Sequence, residues 1–134
     1  MALGVLNKDL RMKLRIKGNS LRLRISQSEV KQLKDNLQIT EEIQFSKDSA
    51  LRYTLQNQPG LNTIKADYSE NSLLISLPET LAKDWLNSDQ VGLEGIQENS
   101  ENNFLKILVE KDFSCLSPRG DEDESDLLPN PKQS

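Results

Sequence analysis

Residues 19–33, NSLRLRISQSEVKQL, and residues 71–85, NSLLISLPETLAKDW, decide how this chain folds. Laid over one another at an offset of 52, they bring Leu21 onto Leu73, Leu23 onto Ile75, Ile25 onto Leu77 and Leu33 onto Trp85. Each stretch opens with apolar residues at every second position, the period of a strand that buries one face. Each then passes to apolar residues three or four apart, the period of a helix. In the first copy Ser26 precedes Glu29 by three residues, the spacing of a capping box, so a short helix is expected over residues 27–36. In the second, Pro78 opens a short helix through Leu81 and Trp85.

The same grammar extends on both sides. Upstream, Leu14 and Ile16 share one parity and are followed by Gly18-Asn19-Ser20, which makes residues 12–25 a strand pair with a small-residue turn. Downstream, residues 39–45 and 51–56 alternate around Ser46-Lys47-Asp48-Ser49. Asn57-Gln58-Pro59-Gly60 punctuates the chain, and the order then returns. It comprises a strand at 64–68, a turn at 69–72, a strand at 73–77, the Pro78 helix, and strands at 91–96 and 104–109. The offset drifts to 53 for Ile43 on Ile96 and to 54 for Leu51 on Leu105 and Tyr53 on Ile107, as small loop insertions would cause. The expectation is a mainly β (α+β) protein of tandem ββαββ repeats. A unit of about 45 residues is near the lower limit for burying its own core. Two units that interleave their hairpins escape that limit.

This divides the chain into an extension at 1–11, a first repeat at 12–57, a linker at 58–63, a second repeat at 64–114 and a tail at 115–134. The extension carries no period, and Met12 is an alternative start. The tail holds an acidic cluster and three prolines without periodicity, so it is expected to lack a packed core of its own.

With 134 residues, no histidine and one cysteine, the composition excludes imidazole relays, histidine-bearing zinc sites and intrachain disulfides. No apolar run approaches membrane-spanning length, so a cytoplasmic protein is expected. The net charge of -4 hides a division. Residues 12–56 carry nine basic and five acidic groups, residues 64–114 four basic and ten acidic, and the tail two basic and five acidic. Such a split concerns partners more often than folding.

The run RIKGNSLRLRIS with its following helix resembles the start of MazE-type antitoxins, and SLLISLPETLAKDWLNSDQVGLEGIQ resembles the wider AbrB/MazE swapped-hairpin group. Together the two stretches cover about residues 12–111. The closing EKDFSCLSPRGDEDESDLLPNP resembles a block from an uncharacterised bacterial family. In the AbrB/MazE group two copies intertwine into one barrel, and the first strand pair presents basic residues to DNA. The resemblance therefore implies a pseudo-two-fold swapped-hairpin β-barrel formed by one chain, either a monomeric pseudo-dimer or a homodimer. It implies a non-enzymatic bacterial regulator with no cofactor, contacting DNA through Arg15, Lys17, Asn19, Arg22 and Arg24. Arg22 and Arg24 share the strand face opposite Leu21, Leu23 and Ile25, which presents them together outside the core. Their counterparts in the second copy are Leu74 and Ser76, while Arg15 and Lys17 become Asp67 and Ser69. The DNA footprint is thus expected to be weak and salt-sensitive.

The rival reading is an adaptor without DNA binding. Its acidic second repeat and tail, with Asp121, Glu122, Asp123, Glu124 and Asp126, would contact a basic protein partner such as a toxin. That cluster lacks the alternating ligands and glycine of a calcium loop, so no metal is expected there. Cys115 has no histidine to activate it and reads as a structural thiol, and Trp85 reads as core.

Overall fold

In the computed structural model, which describes residues 11–112, the chain forms β1 (Lys13–Lys17), β2 (Ser20–Ile25), α1 (Gln27–Asn36), β3 (Gln38–Ser46) and β4 (Ser49–Gln58). The second copy supplies β5 (Lys65–Ser69), β6 (Ser72–Pro78), α2 (Glu79–Leu86), β7 (Gly92–Ser100) and β8 (Asn103–Lys111). The protein is mainly β, with the tandem order expected. β4 pairs with β6 as far as Gln58 opposite Pro78. Cys115, the acidic cluster and the rest of the tail lie outside the described residues, as does the extension apart from Arg11.

The hairpins are exchanged between the copies. β1 and β2 join β8 and β7 in one four-stranded sheet of order β1-β2-β8-β7, and β3 and β4 join β6 and β5 in another of order β3-β4-β6-β5. Both central pairs, β2 with β8 and β4 with β6, are parallel, and the flanking pairs are antiparallel. The registers repeat with the copy. Leu23 opposite Leu14 becomes Ile75 opposite Ala66, and Leu55 opposite Ile39 becomes Val109 opposite Leu93.

Two expectations are corrected here. The offset does not drift within the second hairpins. Ile43 opposite Leu51 corresponds to Gln97 opposite Leu105, so Ile43 lies over Gln97 and not over Ile96, at a constant offset of 54. The two additional residues sit in one connection. α1 reaches β3 through Leu37 alone, whereas α2 reaches β7 through residues 87–91. The second correction is to the closed barrel. Among the described residues the strands form two open four-stranded sheets, and no ladder joins them into a closed barrel. Side chains take the backbone groups that a closing ladder would need. The Gln97 amide accepts from the Ala66 N–H at 2.7 Å and donates to the Ala66 carbonyl at 3.0 Å, bridging β7 to β5. On the other side the Tyr53 hydroxyl donates to the Met12 carbonyl at 3.0 Å.

One core lies between the sheets and helices. It is built from equivalent positions of both copies: Met12 and Ile64, Leu23 and Ile75, Ile25 and Leu77, Leu33 and Trp85, Leu55 and Val109. Neither copy encloses it alone, which is why the exchange of hairpins is the stable solution for units this small.

α1 begins with the capping box read from the sequence. The Glu29 N–H donates to Ser26 Oγ at 3.3 Å, and the Ser26 N–H donates to Glu29 Oε1 at 3.0 Å. Leu37 closes the helix in the left-handed conformation, φ 65°, with its N–H on the Leu33 carbonyl. The box buries a carboxylate. Burial raises the Glu29 pKa above its ordinary value, against the pull of the Ser26 and Met12 amides. An acid whose folded-state pKa is raised contributes stability that is present below its unfolded pKa and is lost as pH rises through the folded one. Glu29→Gln keeps the acceptor oxygen without the buried charge. Its melting temperature should exceed the parent's at pH 7, with the difference disappearing towards pH 4; thermal unfolding followed by circular dichroism at both pH values measures this.

Candidate nucleic-acid interface

Strand parity separates the residues of the β1-β2-β8-β7 sheet into an inner set facing the core and an outer set facing solvent. The outer set runs in rows across the strands. One row is Lys13, Arg24, Glu110 and Gly92; the next is Arg15, Arg22, Leu108 and Glu94; the third is Lys17, Ser20, Lys106 and Ile96. Phe104 and Glu98 face each other one row further on. Six cations and three carboxylates therefore share this face. The outer face of the second sheet carries Arg52 and Lys65 against Glu42 and Asp67, with Arg52 and Glu42 in contact at 3.2 Å. The division of charge between copies in the sequence thus runs across the first sheet, between its β1–β2 and β7–β8 hairpins.

The cations of the first sheet fall into two groups. Arg22 donates to Glu110 Oε1 through Nε at 3.0 Å and through a terminal nitrogen at 2.8 Å, and Arg24 Nε reaches the same oxygen at 3.4 Å. Lys13 Nζ lies 3.2 Å from the Asp112 carboxylate. Arg15, Lys17 and Lys106 have no carboxylate within 4.0 Å among the described residues. They border a groove of about 600 Å3 that is floored by Leu108 and Ile96 and includes Arg22 and Glu94 in its walls.

Arg15 stands directly opposite Arg22. Like charges in that relation cost a sheet stability. Glu110 relieves Arg22, but nothing described relieves Arg15. Arg15→Thr is accordingly expected to raise the unfolding free energy by about 0.2–1 kcal/mol while weakening anion binding. Urea unfolding together with retention on immobilised heparin checks both signs.

A family model covers residues 12–132, that of a family of unknown function, DUF7009. The chain belongs to the DUF7009 family. No curated protein and no solved structure matches it significantly.

In this DUF7009 chain the residues expected at a DNA surface are placed on one face, with differing freedom. Arg15 and Lys17 open onto the groove. Arg22 lines it while held by Glu110, and Arg24 lies in the next row beside the same carboxylate. Asn19 serves the fold, since its side-chain amide donates to the Phe104 carbonyl and pins the β1–β2 turn to β8. Lys106, Leu108, Ile96 and the neutralising Glu110 were not singled out from the sequence. Lys106 had a legible signal, because it alternates with Leu105 and Ile107, but its position beside Ser20 depends on the hairpin exchange.

A second cleft of about 580 Å3 lies beside α1, between Lys31, Lys34 and Lys111 on one side of the charge balance and Asp35 and Asp112 on the other. Burial lowers the Lys111 pKa, and its ammonium donates to the Ser88 carbonyl at 2.6 Å. Among the described residues no group of three His, Cys, Asp or Glu side chains could hold a metal, and no helix is long and apolar enough to cross a membrane.

Proposed function

We propose that this DUF7009 chain is a non-enzymatic regulatory protein of AbrB/MazE-like, swapped-hairpin design that binds DNA through the outer face of its first sheet. The observation that carries this reading is the cluster of Arg15, Lys17 and Lys106, without a carboxylate partner among the described residues, around a groove on the sheet that also presents Arg22. Guanidinium and ammonium groups on a rigid sheet suit phosphates, whose neutralisation releases counterions. The exchanged hairpins support the likeness: β1 and β2 of one copy share a sheet with β7 and β8 of the other, as expected for two such units fused in one chain. The like-charge pair Arg15 and Arg22 adds support, since it costs stability and is explained by a ligand.

The footprint is one-sided. Asp67 and Ser69 stand in the second sheet where Arg15 and Lys17 stand in the first, so the fold's two-fold repetition does not extend to charge. Retention of the chain on DNA at low salt, and its loss in the Arg15→Glu, Lys17→Glu, Lys106→Glu variant, tests the proposal. Absence of retention in the parent chain, or its persistence in the variant, rejects it.

A further inference from the structure

The charges on the first sheet's outer face are arranged by column as well as by row. β1 and β2 carry only cations, Lys13, Arg15, Lys17, Arg22 and Arg24, whereas β7 carries Glu94 and Glu98. Between them β8 carries Lys106 and Glu110 on this face, with apolar side chains of β8 and β7 beside Lys106. Leu108 and Ile96 floor the groove, and Phe104 follows on the same face; Ile96 is 66% and Phe104 50% exposed.

A duplex laid on this face would present two phosphate backbones. One would lie along the cationic strands, and the other would fall over the β7 carboxylates. Nor can the face enter a major groove. That groove is about 12 Å wide and admits a helix or a two-stranded ribbon. Four strands about 4.8 Å apart span roughly 14 Å between the outer strands before side chains are added. The β1–β2 hairpin cannot enter alone, because β2 is paired with β8 along its whole length and Asn19 ties the turn to Phe104. A single strand needs one cationic rail and an apolar surface for its bases, and both are present side by side.

We infer that the groove takes a single nucleic-acid strand, with phosphates on Arg15, Lys17 and Lys106 and bases over Ile96 and Phe104. This rests on the nucleic-acid reading above and narrows the ligand to an unpaired strand, whether DNA or RNA. Strand geometry accommodates the arrangement. Phe104, Lys106 and Leu108 follow one another on one face at about 6.6 Å intervals, so base and phosphate contacts alternate along β8.

The test uses the full chain at low salt with four probes: the 20-mers dT20 and rU20, a mixed-sequence 20-base-pair DNA duplex, and heparin, which offers charge without bases. The expected result is tighter binding of at least one single strand than of the duplex. Phe104→Ala should weaken single-strand binding by roughly 5- to 150-fold, the loss of one stacked base, and leave heparin retention unchanged. Because Phe104 is half exposed, the variant should fold, and Ile96→Ser gives an independent second position. Comparison of dT20 with rU20 distinguishes DNA from RNA as the source. Equal or tighter binding of the duplex, or single-strand binding indifferent to both substitutions, overturns the inference and leaves the nucleic-acid reading standing. Failure to bind any of the four probes overturns both.

Discussion

Replacing Trp85 with alanine should lower the unfolding free energy by about 3–5 kcal/mol, the largest stability loss expected from a single substitution here. Trp85 is fully buried, and it is the largest side chain in the core that both copies share. Its loss removes transfer free energy and leaves a cavity that two hydrogen-bonded sheets cannot collapse to fill. The indole N–H also donates to the Val91 carbonyl at 3.0 Å, fixing the connection that carries the two additional residues of the second copy. Lys111 lies 5.9 Å from the ring centroid and would lose that neighbour. A small domain has roughly 5–15 kcal/mol in total, so the alanine variant should be marginal. Trp85→Leu installs the residue found at the equivalent position of the first copy, Leu33, and should cost less than Trp85→Ala. Urea unfolding followed by circular dichroism measures both, since the substitutions remove the only tryptophan fluorophore. A cost below about 1 kcal/mol for Trp85→Ala would show that the core is not continuous across the copies.

The second large effect concerns binding. Reversing Arg15, Lys17 and Lys106 to glutamate should abolish retention on nucleic acid at low salt without unfolding the protein, because all three side chains border an open groove. Three phosphate contacts alone make affinity fall by about 20- to 40-fold between 50 and 200 mM salt. The parent should show a dependence of at least that steepness. Reversal of Arg22 and Arg24 is a poorer instrument, because both meet Glu110 Oε1 and their replacement would leave that carboxylate among new like charges. Fluorescence anisotropy across a salt series, with melting temperature as the control for folding, provides the measurement. A salt-independent affinity, or an affinity unchanged in the triple variant, would locate binding elsewhere.

Much of the architecture is legible in the sequence, for identifiable reasons. The period-two runs of Leu21-Leu23-Ile25 and Leu73-Ile75-Leu77 each bury one face completely or nearly so, and local alternation is enough to reveal that. The Ser26–Glu29 capping box is a contact three residues apart, so its chemistry is visible in a short window. What escaped notice was non-local. The seam that Gln97 bridges to Ala66 spans 31 residues, and a glutamine on an otherwise apolar inward face reads only as an interruption. The drifting offset at Ile43 had the same origin: apolar matched apolar, whereas the register sets Ile43 against a glutamine that serves the seam.

The candidate site was half legible. Arg15, Lys17, Arg22 and Arg24 announce themselves by parity on two adjacent strands. Lys106 and Glu110 reach them from more than 80 residues away through the parallel pairing of β2 with β8, which no local pattern encodes. Glu110 matters most, since it converts two of the four expected cationic contacts into a bridged pair and leaves the groove to Arg15, Lys17 and Lys106.

Nucleic acid is expected to meet the outer face of the first sheet. Titration of the isotopically labelled full chain with dT20 at low salt, followed by amide chemical shifts, tests it most directly. The prediction is a contiguous set of shifts at Arg15, Lys17, Arg22, Ile96 and Lys106, with Thr40, Thr54 and Asp67 on the outer face of the second sheet unmoved. Shifts confined to the second sheet, or none at saturating oligonucleotide, would contradict it.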